Sequence, residues 1–253
     1  MKPLPKAPAL VSRSSGIFRP QAGYFRYSAI ELLVALLLLF ITAPFVENLP
    51  YGGLIESVLV TLVMVSAVLA IGGKRWTLAV TVALVTPALA GKWFNYLAPG
   101  LVPAPVFLVA TALFLAFIVG QLIRFILRTP RVDANVLCAG LAGYLMLGLL
   151  WIPVYVLIAY LTPGAFVFTT GFQDGSSMEG FNAFYFSFIT LSTVGYGDVT
   201  PASHVARMLV VMETLSGLFY MAVLVSRLVA VYSTQNSPGP TETSEVNTDS
   251  QSR

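Results

Sequence analysis

The residues best suited to chemistry lie in the stretch TLSTVGYGDVTP, Thr190 to Pro201, between two long apolar runs. Gly195 and Gly197 alternate there with Val194 and Tyr196, and Asp198 follows. Glycine reaches positive φ values that other residues resist. A chain of this pattern can therefore turn successive carbonyl oxygens toward one axis. Carbonyl oxygens stacked in that way replace the water around a cation. The main chain would be the ligand, and the side chains would hold it in place.

Such a backbone needs a setting. The chain has 253 residues, of which 57% are hydrophobic and only 10% charged, against roughly 25% charged in a soluble domain. Non-helical backbone at membrane depth is tolerated only where protein buries it or where it lines a water-filled path. A bilayer-crossing helix needs about 20 apolar residues, and six runs approach that size. They are Ser28–Val46, Leu54–Gly72, Trp76–Ala90, Pro105–Ile123, Val136–Leu161 and Val205–Val231. The third is the shortest and contains Pro87, with Trp93 and Tyr96 extending it toward the interface. The first is longer than a signal-peptide core and has no convincing cleavage site, so it reads as an uncleaved helix.

Between the last two spans, TPGAFVFTTGFQDGSS reads as an exposed loop. Met178–Leu191, MEGFNAFYFSFITL, is too short to span and reads as a helix entering the membrane partway. Its carbonyl end, negative by the helix dipole, would face the glycine-rich loop.

Thr193-Val194-Gly195-Tyr196-Gly197-Asp198, set between an aromatic half-helix and a spanning helix, resembles the potassium channel family, and the resemblance covers about Val136 to Tyr232. It implies an all-α integral membrane protein with six transmembrane helices, a re-entrant pore helix and selectivity filter between the fifth and sixth, and a tetrameric pore. The function implied is passive potassium conduction by a homotetramer, with potassium as permeant ligand and no cofactor. Main-chain oxygens of Thr193, Val194, Gly195 and Tyr196, with the Thr193 hydroxyl, would bind the ion, and Gly197 and Asp198 would form the outer mouth. Gly217 falls at the family's inner-helix bend, and Leu218, Met221, Val225 and Val229 on its pore-facing stripe. Some relatives pair a pore-helix glutamate with the aspartate after the filter. Ile189 occupies that position here, which leaves Tyr185 as the candidate partner of Asp198.

The charge pattern divides the chain. Lys2, Lys6, Arg13, Arg19 and Arg26 precede the first span; Lys74, Arg75, Arg124, Arg128, Arg131 and Arg227 fall on the same side, against Lys92 and Arg207 opposite. By the positive-inside rule both termini are expected in the cytoplasm of a cell membrane, plasma or inner. The expected organisation is a basic segment (1–27), a four-helix membrane domain (28–131), a pore domain (132–232) and a polar, disordered tail (233–253). The fourth span has no basic residue within its apolar run, so no voltage-sensing array is expected.

Glu213, deep in the sixth span, is an ionisable group where one is costly. It lies five residues before Leu218, about 140° away around a helix. That phase favours support behind the filter, with lining of a cation-attracting cavity as the alternative.

One cysteine, Cys138, and one histidine, His204, supply neither a multi-cysteine metal site nor a nucleophile–histidine pair. No nucleotide-binding loop is present, and an enzyme is not expected. The net charge of +3 follows from the membrane flanks and gives no reason to invoke nucleic acid. The competing reading is a non-conducting membrane sensor or partner-binding subunit that keeps the pore scaffold. The intact TVGYGD argues against it.

Overall fold

The computed structural model describes residues 29–46, 49–70, 75–97, 103–129, 133–169 and 177–235. Expectations for 1–27 and for the tail beyond Gln235 lie outside these residues. Among the described residues, seven helices and two short strands run in the order α1 (Ala29–Val46), α2 (Gly52–Ala70), α3 (Arg75–Leu97), α4 (Ala104–Arg128), α5 (Ala134–Leu161), β1 (Phe166–Phe168), α6 (Gly180–Leu191), β2 (Val199–Pro201) and α7 (His204–Gln235).

Six of these helices are long and apolar enough to cross a membrane, and α6, with 12 residues, is not. Their outward faces carry Val34, Ile41 and Phe45 on α1 and Leu62 and Leu69 on α2, all exposed. In water such a surface would be an aggregation liability; in a bilayer it is the solvated side.

Helix limits follow local chemistry. Asp133 caps α5, its Oδ1 accepting from the Val136 amide at 3.0 Å, and Ser203 caps α7 through the Ala206 amide at 3.1 Å. Thr129 ends α4 in an extended conformation, as expected of a residue before proline. Two boundaries move relative to the sequence expectation. Helix α3 runs through Pro87 to Leu97, and α4 continues to Arg128, so Arg124 and Arg128 ride on the helix instead of coming after it.

The stretch expected as an exposed loop is partly buried. Phe166–Phe168 pairs antiparallel with Val199–Pro201, Phe166 opposite Pro201, and Ala165 and Phe166 are buried. The reason is a short alternation of the strand type: Phe166 points inward, Val167 outward. The ring of Phe166 meets those of Tyr155 and Phe186 edge-on, at centroid distances of 5.7 and 5.4 Å.

Helix α5 is the hub, packing against α1, α4, α6 and α7. Near its start, Asn135 Oδ1 accepts from the first amide of α1 at 3.1 Å. Phe40 of α1 also reaches the half-helix, its ring 4.8 Å from Phe184 and 4.5 Å from Phe188. Across α2 and α3, Lys92 pairs with Glu56 at 2.7 Å.

Close approach to α5 depends on missing side chains. A Cβ at Gly143 would collide with the Tyr220 hydroxyl of α7, and one at Gly148 with the Phe188 ring of α6. Small residues serve the same end wherever helices meet in a membrane. Gly148→Val is expected to destabilise the protein by about 1–3 kcal/mol through overpacking, read as a lowered thermal midpoint in detergent; an unchanged midpoint would contradict this packing account.

Candidate ion-coordination loop

Helix α6 ends at Leu191, and the way it ends shapes the glycine-rich loop. The Ser192 amide donates to Phe188 O at 3.1 Å, and the Thr193 amide to Thr190 O at 3.0 Å, tightening the last turn. The amides of Val194 and Gly195 then both turn back onto the Ile189 carbonyl, at 2.9 and 3.2 Å. Three positive φ values accompany the reversal: 61° at Thr193, 52° at Gly195 and 79° at Gly197, alternating with Val194 and Tyr196 outside that region. The glycines take the conformations expected of them. Thr193 is the surprise, because a β-branched residue pays for positive φ; the neighbouring amides anchored on Ile189 hold it there.

With these amides turned toward the helix end, the carbonyl oxygens of Thr193, Val194, Gly195 and Tyr196 accept no hydrogen bond among the described residues. They sit at the negative end of α6. The side chains of Val194 and Tyr196 are exposed on the single chain.

Beyond the loop, Asp198 is held on several sides. The Tyr185 hydroxyl donates to its Oδ2 at 2.6 Å, its Oδ1 accepts from the Val199 amide at 3.0 Å, and its carbonyl accepts from both the amide and the hydroxyl of Thr169, each at 2.8 Å. An ordinary tyrosine hydroxyl is neutral at pH 7, and, accepting this bond as a carboxylate, Asp198 favours the protonated phenol further. Tyr185 therefore stays a donor at neutral pH.

Behind α6, Glu213 is fully buried. Its Oε2 accepts from the Tyr155 hydroxyl of α5. Ser187 of α6 shares its hydroxyl between Oε1, at 2.6 Å, and the Gly148 carbonyl, at 2.8 Å. Ser216 donates to the Glu213 carbonyl at 2.7 Å and accepts from the Trp151 indole at 3.3 Å. Tyr144 donates to the Leu191 carbonyl, the last of α6, at 3.3 Å.

Gly217 abuts the same helix end: a Cβ there would lie 2.8 Å from Leu191 Cδ1 and 2.9 Å from Leu191 O. Helix α7 runs unbroken through it. Leu218, Met221, Val225 and Val229 lie exposed along one stripe of α7, with Glu213 turned toward α5 and α6.

Sequence reasoning missed Tyr155, Ser187, Trp151 and Tyr144. Ser187 had a signal, being a hydroxyl inside an aromatic half-helix, where a buried polar group needs a partner. Nothing local distinguished Tyr155 or Tyr144 from the other tyrosines. Tyr155→Phe removes one donor to a buried carboxylate and is expected to cost about 1.5–3 kcal/mol, measured as lost thermal stability of the purified protein. In a Glu213→Gln background the same change should cost less, and equal costs would show that the two groups are not coupled.

Comparison with known proteins places the loop in context. The family described as "Ion channel" matches residues 155–234. Two-pore potassium channel 4 of Arabidopsis thaliana is 35% identical over 79 residues, 30% of this chain and 28% of that protein. Voltage-gated potassium channel Kch of Escherichia coli is 42% identical over 67 residues, 26% of this chain and 16% of that protein. Potassium channel subfamily T member 1 of Gallus gallus is 34% identical over 90 residues, 34% of this chain and 8% of that protein. The chain thus spans less than a third of each of these relatives. No solved structure matches. Over residues 155–234, the segment that carries the TVGYGD loop, the chain matches the ion channel family and is similar to these potassium channels.

Proposed function

We propose that four copies of this chain form a potassium-selective channel that conducts passively down the ion's electrochemical gradient. The observation that carries this reading is the loop at the carbonyl end of α6, with alternating φ signs and four carbonyl oxygens that accept no hydrogen bond among the described residues. Thr193, Val194, Gly195 and Tyr196 supply the ion sites, each ring of oxygens completed by three further copies and standing in for the hydration shell. Gly197 and Asp198 form the mouth. One loop per chain cannot close a ring, which is why the reading requires a homotetramer.

Tyr185 steadies Asp198 in the place of the absent pore-helix glutamate, and Glu213 supports the half-helix from behind. The exposed stripe of Leu218, Met221, Val225 and Val229 faces the pore, where a hydrophobic constriction can gate by dewetting. The basic flanks orient both termini to the cytoplasm of a cell membrane.

Purified protein in liposomes with opposed potassium and sodium gradients provides the test. Barium-sensitive potassium flux is expected, and equal sodium permeability would reject selectivity. Gly195→Ala should abolish or strongly reduce the flux, since alanine at a φ of 52° pays roughly 1–2 kcal/mol at every subunit. In planar bilayers, α4 should contribute less than the equivalent of one full gating charge per subunit, about 2.3 kcal/mol per 100 mV. Steep gating that responds to Arg124→Gln would overturn this assignment.

A further inference from the structure

Packing within its own chain does not hold the outer part of the glycine-rich loop. Among the described residues, chain neighbours aside, nothing lies within 4 Å of where a Cβ would stand at Gly195 or Gly197, and the side chains of Val194 and Tyr196 are exposed. Gly197, at a φ of 79°, is a point about which the backbone rotates with little steric resistance. Restraint therefore has to act at the ends of the loop. The inner end is fixed by the two amides on Ile189 O. The outer end is fixed at Asp198, one residue past Gly197.

Two supports from different parts of the chain meet at Asp198. Its carboxylate is held from α6 and from the adjoining residue, by the Tyr185 hydroxyl at 2.6 Å and the Val199 amide at 3.0 Å. Its carbonyl is held from the connection that precedes α6. The amide and the hydroxyl of Thr169 both donate to it, each at 2.8 Å, and a carbonyl oxygen with two lone pairs can accept both. This carbonyl is committed to Thr169, whereas those of Thr193 to Tyr196 accept nothing among the described residues. Thr169 thus closes the row of open oxygens on its outer side.

Thr169 is itself placed by β1. It follows Phe168, which stands opposite Val199 in the strand pair. At the other end of the pair the Ala165 carbonyl accepts from the amides of Ala202 and Ser203, at 2.8 and 3.3 Å. Phe166 anchors β1, its ring edge-on to Tyr155 of α5 and Phe186 of α6. The position of Thr169 is therefore set by two helices and not by the loop it touches. A donor pair fixed in this way can stop a pivot; one that moved with the loop could not.

We propose that Thr169 is a positioning residue of the ion-coordination loop, its amide and hydroxyl holding the Asp198 carbonyl so that Gly197 does not pivot and the Tyr196 carbonyl stays in its ring. Discrimination among cations requires those oxygens in place, whether it comes from cavity size or from their number and field strength. The proposal rests on the reading of the loop as a potassium path, and it assigns part of the selectivity to the connection between α5 and α6.

Thr169→Val removes the hydroxyl while keeping the amide and the branched shape. With the full chain in liposomes, the ratio of potassium to sodium flux is expected to fall about fivefold in this variant, the scale of one neutral hydrogen bond. Thr169→Ser, which restores the donor, should keep the wild-type ratio. Val167→Thr, on the outward face of β1, is the control and should leave the ratio unchanged. Hydrogen–deuterium exchange of the same proteins reads the pivot without conduction: amides at 197–199 should exchange faster in Thr169→Val and not in Thr169→Ser, while those of α5 stay protected. Thr169 is exposed, so the substitution spares the buried core, and thermal midpoints check that each variant is folded. An unchanged flux ratio in Thr169→Val would overturn the proposal, as would unchanged exchange at 197–199 or an equal loss in Thr169→Ser. Wild-type protein that passes sodium as readily as potassium would reject the channel reading itself, and the exchange measurement would still decide whether Thr169 holds the loop.

Discussion

A carboxylate without exposed surface sits at the junction of three helices, and the geometry around the loop depends on it. Burying a charged group is costly unless its oxygens are met, and both oxygens of Glu213 are met, one by Tyr155 of α5 and one by Ser187 of α6. Those bonds tie α7 to the other two helices. They form only because α6 lies close to α5, and that closeness requires Gly148, where any side chain would strike the Phe188 ring. Ser187 spends the same approach on the Gly148 carbonyl. A missing side chain on one helix thus lets a polar group on the second reach an acid on the third.

The position of α6 in turn sets the loop. In a bilayer each main-chain polar group must find a partner or face a polar path. The half-helix meets that demand unevenly: its end gathers the amides of Val194 and Gly195 on one carbonyl, Ile189 O, and the carbonyl oxygens of Thr193 to Tyr196 find no partner among the described residues. Tyr144 and Gly217 hold the helix end at Leu191 from two sides. Asp198 and the β1–β2 pair fix the far side of the loop. The open row of carbonyl oxygens is what remains when everything around it is satisfied.

The four preceding helices join this arrangement by contact. Phe40 of α1 lies against Phe184 and Phe188, so the first helix touches the half-helix directly and a change in its tilt would be felt there. The basic residues of α4 stand at its end, on the side where Arg227 reaches Thr129. That end of the bundle is where charge and α7 meet.

Much of this was legible in the sequence. Six apolar runs, an aromatic segment too short to span, the alternation of glycines after it and the burial of a lone glutamate all arise from preferences that act over a few residues or between a side chain and its solvent. Tyr185 and Asp198, thirteen residues apart, were close enough for reach to be argued along one short helix. Other features belonged to the tertiary structure alone. Tyr155 and Glu213 lie 58 residues apart, and no local pattern selects one tyrosine over another as the partner of a buried acid. The positive φ of Thr193 comes from a reversal that amides on Ile189 enforce, against the residue's own preference. The pairing of Phe166–Phe168 with Val199–Pro201 likewise appears only once helices are packed. Sequence by itself determined which groups must be buried or left free, because that is decided by solvent and short-range sterics. Only the tertiary structure decided which groups meet, because packing brings together positions that the chain keeps far apart.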